Sequence, residues 1–499
     1  MSRLAPSLLL SLALSSCLSR PARFADAPPV TRVADDGAIP MPERTSVIGP
    51  VYGAEAYVRR PLVNALDARR IPQAQDINSV DAVPPSSWYA PIELSAGHFE
   101  TAYASGGPPH PPLRLRREHS GWVEVEDQRA HRYRVSADPP DRPFTSSVAA
   151  AISSRLVRAL GYRTPSSWVW RAAPALFEGV LPRALRKGKV WQVTHWPDGV
   201  VLGATDPSRR RDDDPNDRVP RTERRTLRVL GLVAAWLEIP DFGPQRLADI
   251  YVGRAGRGHV RHFLVGLDAS LGAAALAHSD PVVSAAGTVK GSMGWNLLTL
   301  GLYRPDEYAA QTSLYVFRPT VEDGHQLQMP FDPTDYLLPG DGYWLAKRLA
   351  KVSDAFIARC VDEGHLPDEA LARHLRVALT TRRDQLMARA MNAVTPLEVA
   401  NLTPELLSFV DNAAETGSAS RAGSVYHVTF LDDLGDPLMQ TTSLSDALGD
   451  IDIALPEALR HRDYTVIRMQ VERSGKKAPA MELHLASKDQ VPHVVGIRH

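Results

Sequence analysis

Residues 132–161 read RYRVSADPPDRPFTSSVAAAISSRLVRALG and join a strand to a helix. Tyr133 and Val135 alternate with polar neighbours, which predicts a strand with one buried face. After Asp138-Pro139-Pro140, apolar residues recur every three or four positions as far as Gly161, which predicts a helix with a left-handed glycine at its end. The stretch therefore indicates a mixed α+β domain.

The same two periods continue on both sides of this stretch. Alternating apolar residues predict further strands at 123–126, 168–170, 190–194 and 259–265. Residues 341–391 have the helical period in several pieces. After Gly417-Ser418-Ala419-Ser420 the period is two for about 75 residues, which predicts a small β-sandwich.

The composition restricts the class of protein. The chain has 499 residues, which corresponds to about three domains of roughly 150 residues each. Apolar residues make up 44%, but no apolar run approaches the ~20 residues of a membrane span, so a polytopic membrane protein is excluded. Lysine plus arginine equals aspartate plus glutamate at 57 each, so no net field would attract nucleic acid. Two cysteines, Cys17 and Cys360, supply no disulfide framework.

The N-terminus resembles the signal peptide of bacterial lipoproteins. Arg3 gives a positive start, residues 4–16 form an apolar segment too short to span a membrane, and Leu14-Ser15-Ser16-Cys17 resembles a lipobox. The resemblance implies that Cys17 becomes the mature N-terminus and carries acyl chains, palmitate among them, which anchor a protein stably. Leu18 after the cysteine favours the outer membrane. The alternative is an ordinary signal peptide with a chance cysteine.

Segments spread over about residues 70 to 400 resemble an uncharacterised family of bacterial envelope proteins with an atypical protein-kinase-like fold. They occur in the family's order, which is more specific than any single motif. The segments are DINSVDAVPPSSW (76–88), RYRVSADPP (132–140), ALGY (159–162), DPNDRVP (214–220), AWL (235–237), VRHFLV (260–265) and WLAKRL (344–349). The resemblance implies a two-lobed body with a mostly helical C-lobe.

The catalytic positions of that family are replaced in this chain. Phosphoryl transfer needs a cation on the phosphates, a carboxylate near the acceptor hydroxyl and oxygen ligands for a metal. The family supplies a strand lysine paired with a helix glutamate, then a His-Asp followed by an asparagine, and finally the aspartate of Ile-Asp-Phe-Gly. The matching positions here are Ser136, Ala150, Ile239-Pro240, Arg246 and Gly266. Because these losses remove the electrostatic stabilisation of the reaction, the resemblance implies an inactive, pseudokinase-like protein.

Three aspartates near these positions are candidates for a replacement role. Asp241 and Asp249 flank the degenerate loop, and Asp268 lies where a metal would be held. They either bind a cation at the mouth of a cleft or cap and hydrogen-bond the local loops. His259 and His262 lie on opposite faces of a predicted strand, so no metal site is expected there.

Two further segments carry concentrated charge. Residues 209–214 contain three arginines followed by three aspartates. They could form salt bridges with one another or dock a charged partner, but such runs are usually solvated. Residues 253–258 are rich in glycine and arginine. They predict a hairpin turn, with an anion-binding loop as the alternative.

These observations divide the chain into five regions. The expected regions are a lipoprotein signal peptide at 1–17, a proline-rich tether and arm at 18–95, an α+β N-lobe at 96–200, a mostly helical C-lobe at 201–410 and a β-sandwich at 424–499.

The expected function is that of an envelope lipoprotein that binds or scaffolds other molecules without catalysis. It would be anchored through lipid, facing the periplasm, with an unknown envelope protein as partner, and with no nucleic acid, metal or cofactor. One alternative is a divergent phosphotransferase dependent on a nucleotide or small ligand, which an open cleft lined by Asp241, Asp249 and Asp268 would favour. The other is a purely structural lipoprotein, favoured by a cleft plugged by Arg246 or Phe242.

Overall fold

The computed structural model describes residues 23–45, 49–60, 62, 71–92, 107–277, 313–321, 331–445 and 450–499. Within these ranges the chain is a mixed α/β protein with several antiparallel sheets. It separates into two compact units, which we call the body and the terminal unit. The body comprises Val30–Asn78 and Ala82–Ala390, and the terminal unit combines Met391–His499 with Ser79–Asp81 and the N-terminal residues up to Pro29. The predicted signal peptide with Cys17 lies outside the described residues.

A five-stranded antiparallel sheet forms the first part of the body. Its strands are β1 (Arg114–His119), β2 (Trp122–Glu126), β3 (Arg132–Ala137), β4 (Ser166–Arg171) and β5 (Val190–His195). They lie in the order β1-β2-β3-β5-β4. The alternation seen in the sequence places Val135, Trp191 and Val193 in one hydrophobic cluster on one face. The opposite face is therefore free to present polar side chains.

The helices of the body are α1 (Gly49–Ala54), α2 (Ser146–Ala159), α3 (Arg225–Arg228), α4 (Leu230–Leu237), α5 (Ala273–Ala277), α6 (Pro339–Leu349), α7 (Asp354–Asp362) and α8 (Glu369–Asn392). The last of these ends just beyond the body. No helix in the described ranges is both long enough and apolar enough to cross a bilayer.

Helix α2 begins after the proline turn, as the sequence predicts, and its N-cap residue Thr145 makes no side-chain cap hydrogen bond. Instead, the buried carboxylate of Asp138 accepts hydrogen bonds from the backbone N–H of Ser147 at 2.9 Å and of Thr145 at 3.1 Å. Burial raises the pKa of Asp138 above its ordinary value, although these hydrogen bonds oppose the shift. The proline turn therefore fixes the angle between β3 and α2.

A second, three-stranded sheet lies in the part of the body predicted to be mostly helical. It consists of β6 (Val200–Ala204), β7 (Leu247–Arg254) and β8 (Arg257–Leu264), in that order. The glycine- and arginine-rich residues 253–258 form the hairpin turn between β7 and β8, as predicted. Gly256 adopts a positive φ of 75° at its tip.

The terminal unit contains two antiparallel sheets. Their strands are β9 (Leu397–Leu402), β10 (Leu406–Asp411), β11 (Val425–Leu431), β12 (Pro437–Ser443), β13 (Asp450–Ala454), β14 (Tyr464–Arg473), β15 (Lys476–Lys477), β16 (Met481–Lys488) and β17 (Val491–Arg498), with the short helices α9 (Asn412–Glu415) and α10 (Glu457–Arg460). One sheet has the order β13-β10-β9, and the other has the order β12-β11-β14-β16-β17 with β15 beside β14. Phe409 and Ile453 of the first share a buried cluster with Val428 and Leu483 of the second. The unit thus extends before residue 424, because β9 and β10 belong to the same core.

The N-terminal residues complete the terminal unit. The backbone N–H of Phe24 donates to the hydroxyl of Tyr464 at 2.8 Å. The Phe24 ring lies against Gly496, where an added Cβ would come within 2.1 Å of it. Arg498 lies over the same ring, 4.7 Å from its centroid. The described residues of the predicted tether and arm at 18–95 thus divide between the two units.

Buried arginine–aspartate pairs hold the centre of the body together. Asp341, fully buried in the first turn of α6, accepts from the side chain of Arg225 at 2.9 Å and from that of Arg228 at 3.3 Å. Asp76 accepts from the backbone N–H of Arg225 at 2.6 Å and from the hydroxyl of Thr226 at 2.9 Å. Helix α3 is therefore fixed from two sides by carboxylates more than a hundred residues away in sequence.

The charged loop at 209–214 is solvated in part: Arg209, Arg210, Asp212 and Asp213 are exposed, and Arg211 pairs with Asp213 inside the run at 2.9 Å. Arg211 and Asp214 are buried. The guanidinium of Arg211 pairs with Asp249 at 3.1 Å, and Asp217 just beyond the run pairs with Arg221 at 2.7 Å. Those partners are distant or follow the run, so local charge alternation could not reveal that the loop enters the interior.

Replacing Asp341 by alanine should strongly destabilise the body. The change leaves two buried guanidiniums without their carboxylate, which costs about 3–5 kcal/mol of unfolding free energy. The measurement is the shift of the denaturant midpoint, followed by tryptophan fluorescence. Asp354→Ala is the matched control, because Asp354 is 73% exposed and its pair with Arg383 contributes less than about 1 kcal/mol. Equal effects of the two substitutions would contradict the role assigned to Asp341.

Candidate ligand cleft

A cavity of about 440 Å³ lies within the body. Its walls come from the five-stranded sheet with helix α2, from strands β6 and β7, and from residues 265–268 after β8. This volume is within the ordinary range for small-molecule sites. Of the positions singled out in the sequence, the cavity is lined by Ser136, Ala150, Gly266 and Asp268. The fold thus brings together residues from three separate segments of the chain.

The sheet wall of the cavity is polar because of the strand alternation. Ser136 and Gln192 are cross-strand partners on β3 and β5, and Thr194 lies opposite Ser167 on β4. The Gln192 amide donates to the Thr194 hydroxyl at 3.1 Å, and the Ser167 and Thr194 hydroxyls are 2.9 Å apart. The residue next to each of them in sequence points to the opposite face of the sheet and packs in the hydrophobic cluster there. The wall therefore presents hydroxyl and amide groups to the cavity.

Arg134 is a residue of this wall that the sequence reasoning missed. It lies two positions before Ser136 on β3, so both side chains point to the same face. Its guanidinium lies over the Trp122 ring, 4.2 Å from the centroid. Burial lowers its pKa below the ordinary value, while the carboxylate of Asp268 opposes that shift. The same-face spacing from Ser136 was the signal that could have identified it.

The facing wall is largely apolar. Val201, Leu247 and Ala248 from β6 and β7 line it.

Two donors in the cavity lining, the Thr164 hydroxyl and the Trp196 indole N–H, have no hydrogen-bond partner in the described part of the chain. Buried polar groups are normally satisfied, so their presence beside a cavity is unusual. The cleft therefore combines an apolar side with a side rich in hydrogen-bonding groups.

Arg246 lies beside the cavity, in contact with the lining residues Gly266 and Asp268. Its guanidinium donates to the Gly266 carbonyl and lies 3.5 Å from the Asp241 carboxylate and 3.8 Å from that of Asp268. Gly266 has a left-handed φ of 68°, and a Cβ there would come within 2.6 Å of the Arg246 Nη1 atom. The close approach requires glycine at this position. A fixed cation thus lies beside the position that the family resemblance assigned to a metal-binding aspartate.

The residues present do not fit a Mg²⁺ ion that would support phosphoryl transfer. Hard divalent cations require several oxygen ligands, chiefly carboxylates. Gly266 offers only a carbonyl that already accepts from Arg246, and the guanidinium repels a second cation. Nowhere in the described ranges do three or more His, Cys, Asp or Glu side chains form a group that could hold a metal.

Asp249 is separate from the cavity wall. On β7 its buried carboxylate accepts from the hydroxyl of Thr205, lies 2.8 Å from the His262 ring nitrogen and pairs with Arg211. Burial by itself would raise the pKa of Asp249. The nearby His262 and the hydrogen bonds from His262 and Thr205 outweigh burial and lower this pKa to about 2. His262 also stacks on Trp88 at 3.9 Å. Asp249 therefore belongs to the buried ionic centre of the body.

The remaining predicted residues lie near the cavity without lining it. Ile239 and Pro240 follow helix α4, and Ile239 is buried. Phe242 is also buried and packs against Phe331, with ring centroids 5.9 Å apart, so it does not plug the cleft. Asp241 does not line the cavity, but it contacts Arg246 and accepts a hydrogen bond from the side chain of Gln245, which does.

Comparisons with known proteins give little further information. No family model matches the chain, and no curated protein matches it. Among solved structures, a match is the crystal structure of a proinflammatory kinase, CtkA, from Helicobacter pylori, with 12% sequence identity and a TM-score of 0.31. The match covers 57% of this chain and 99% of that one.

The contact between Gly266 and Arg246 can be tested by a double-mutant cycle. Gly266→Ala should lower the free energy of unfolding by about 1–2 kcal/mol, because alanine is unfavourable in the left-handed backbone conformation. It should also displace the guanidinium of Arg246, which adds a second loss of stability. In the Arg246→Ala background the second cost disappears, which gives a coupling of about 1 kcal/mol. Denaturant unfolding of the four proteins measures it.

Gly256→Ala is the matched control for this cycle. Gly256 also has a positive φ, but a Cβ there would meet no atom within 4 Å. Its cost should be the same with and without Arg246. Additive effects of Gly266→Ala and Arg246→Ala would show that the guanidinium does not hold this position.

Proposed function

We propose that this protein is a catalytically inactive, kinase-like binding protein of the bacterial envelope. Its cleft binds a small ligand without a metal ion, and a lipid on Cys17 anchors it to the membrane. The observation that carries the proposal is the guanidinium of Arg246, held by Asp241, Asp268 and the Gly266 carbonyl directly beside the residues that line the cleft.

Charge in the cleft supports binding over phosphoryl transfer. Catalysis of that reaction depends on cations that neutralise several phosphate charges at once. Arg246 is engaged with two aspartates, so Arg134 is the single lining cation not committed to a carboxylate among the described residues. Asp268, 46% exposed at the wall, would repel a polyphosphate. An open cavity, in turn, argues against a purely structural lipoprotein.

The arrangement of residues supports a kinase-like ancestry of the body. A helix follows the third strand of an antiparallel five-stranded sheet, and Ser136 on that strand shares a cavity with Ala150 on that helix. The family resemblance assigned these two positions to the paired lysine and glutamate. The two positions are therefore still close together in space, although neither residue is charged.

The lipid anchor would hold the terminal unit close to the bilayer. Arg23, Phe24 and Asp26 are packed on this unit: Arg23 lies over the Tyr464 ring at 4.4 Å, and Asp26 pairs with His493 at 2.7 Å. Five residues separate Arg23 from Cys17, so the two Cα atoms are at most about 22 Å apart. The terminal unit would then be a module for an envelope partner near the membrane surface.

Magnesium should not change the response of the protein to nucleotides. The full-length chain, purified in detergent, is heated with ATP, ADP or GTP, with and without Mg²⁺ or Mn²⁺. Because the metal position is next to a fixed guanidinium, we expect the same melting temperature with and without metal. A ligand at a hundred times its Kd would add about 2.7 kcal/mol, so a metal-dependent complex would be visible as a rise of several degrees. Such a rise would contradict the proposal.

Replacing Cys17 by serine should release the protein from membranes. The substitution removes the thiol that would be acylated, so we expect loss of radioactive palmitate and recovery in the soluble fraction after an alkaline wash. Cys360→Ser is the matched control, because the Cys360 thiol is fully buried and burial raises its pKa, which makes it unreactive. Labelled, membrane-bound Cys17→Ser protein would disprove the anchor.

A further inference from the structure

We infer that the ligand of this cleft is an uncharged saccharide. The inference rests on the proposed function, since it names the ligand class of the same cleft. Three properties of the cavity carry it: the density of hydrogen-bonding groups on the sheet wall, the balance of charge, and the contrast between the two walls.

The sheet wall offers the groups that bind sugar hydroxyls. Ser136, Ser167 and Thr194 supply hydroxyls that both donate and accept, and Gln192 supplies an amide that does the same. The Gln192 amide nitrogen donates to Thr194, so its carbonyl oxygen is the acceptor that the amide still offers. A ligand with several hydroxyls can satisfy such a wall, whereas an apolar ligand would leave it without partners.

The charges of the cleft balance. Arg134 and Asp268 line the cavity with opposite signs, and the nearby Arg246 is balanced by Asp241. A ligand with several negative charges would find one uncommitted cation and one opposing carboxylate. An uncharged ligand avoids that repulsion and can still accept from Arg134 and donate to Asp268.

The two walls match the two surfaces of a sugar better than those of a nucleobase. A pyranose ring has apolar C–H faces and a rim of hydroxyls, which suit the Leu247–Ala248 side and the sheet side respectively. A purine has fewer hydrogen-bonding groups for its size than a sugar, so it would leave more of the polar sheet wall without partners. The geometry therefore favours the saccharide.

Calorimetric titration of the full-length protein in detergent tests the inference. The probes are glucose, N-acetylglucosamine, maltose and cellobiose, with adenosine and metal-free ATP as competing classes. We expect at least one saccharide to bind with a Kd below about 1 mM. Because the ligand is uncharged, raising NaCl from 0.05 to 0.5 M should change that Kd less than about twofold.

Variants locate the binding in this cleft. Gln192→Leu should weaken saccharide binding about tenfold, whereas Gln440→Leu, on the exposed strand β12, should leave it unchanged. Asp268→Asn keeps the hydrogen-bonding atoms and should change the Kd less than about threefold. If adenosine or ATP binds and no saccharide does, the ligand class is wrong while the proposed binding function stands. If no probe binds, both fail. Binding that Gln192→Leu leaves intact would place the saccharide elsewhere and overturn the inference.

Discussion

The rest of the body depends on buried aspartates whose charge is met by arginine side chains or by backbone N–H groups. Removing an isolated carboxylate or an isolated guanidinium from water costs several kcal/mol of free energy. Asp341 meets Arg225 and Arg228, and Asp76 meets the backbone at the start of the same helix. Such pairs add little net stability compared with apolar packing, but they tolerate few alternative arrangements, so they determine which segments lie together.

This ionic centre leads to the cleft by direct contacts. Arg221, paired with Asp217, lies over Trp88, and Trp88 stacks on His262. His262 in turn contacts Asp249 on β7, whose sequence neighbour Ala248 lines the cavity. The position of the apolar wall is therefore set by charged residues that do not line the cavity.

Local periodicity predicted the strands and helices well, because each depends on residues a few positions apart. Ser136 and Gly266, 130 positions apart, could be connected only through the family resemblance, and they do line one cavity. Arg134 was missed because an arginine on a strand reads as a surface residue until its neighbours across the sheet are known. The burial of Arg211 in the loop at 209–214 was missed for the same reason, because its partner Asp249 lies on strand β7, far away in sequence. Whether the cleft is inactive, and whether Cys17 carries lipid, stay predictions.

The two ends of the chain meet in one small unit, and this has a consequence for how the protein is made. Phe24 bonds Tyr464, 440 positions later, and Ser79 accepts from the backbone N–H of Ile497 almost at the last residue. The segment around Phe24 is synthesised first and must wait, unpaired, until the strand that contains Tyr464 has been made. Closing so long an unfolded loop costs only logarithmically more than closing a short one, but it is slow, since distant contacts form late. The core of the terminal unit therefore closes only after residues 464–497 have been made, late in the synthesis of the chain.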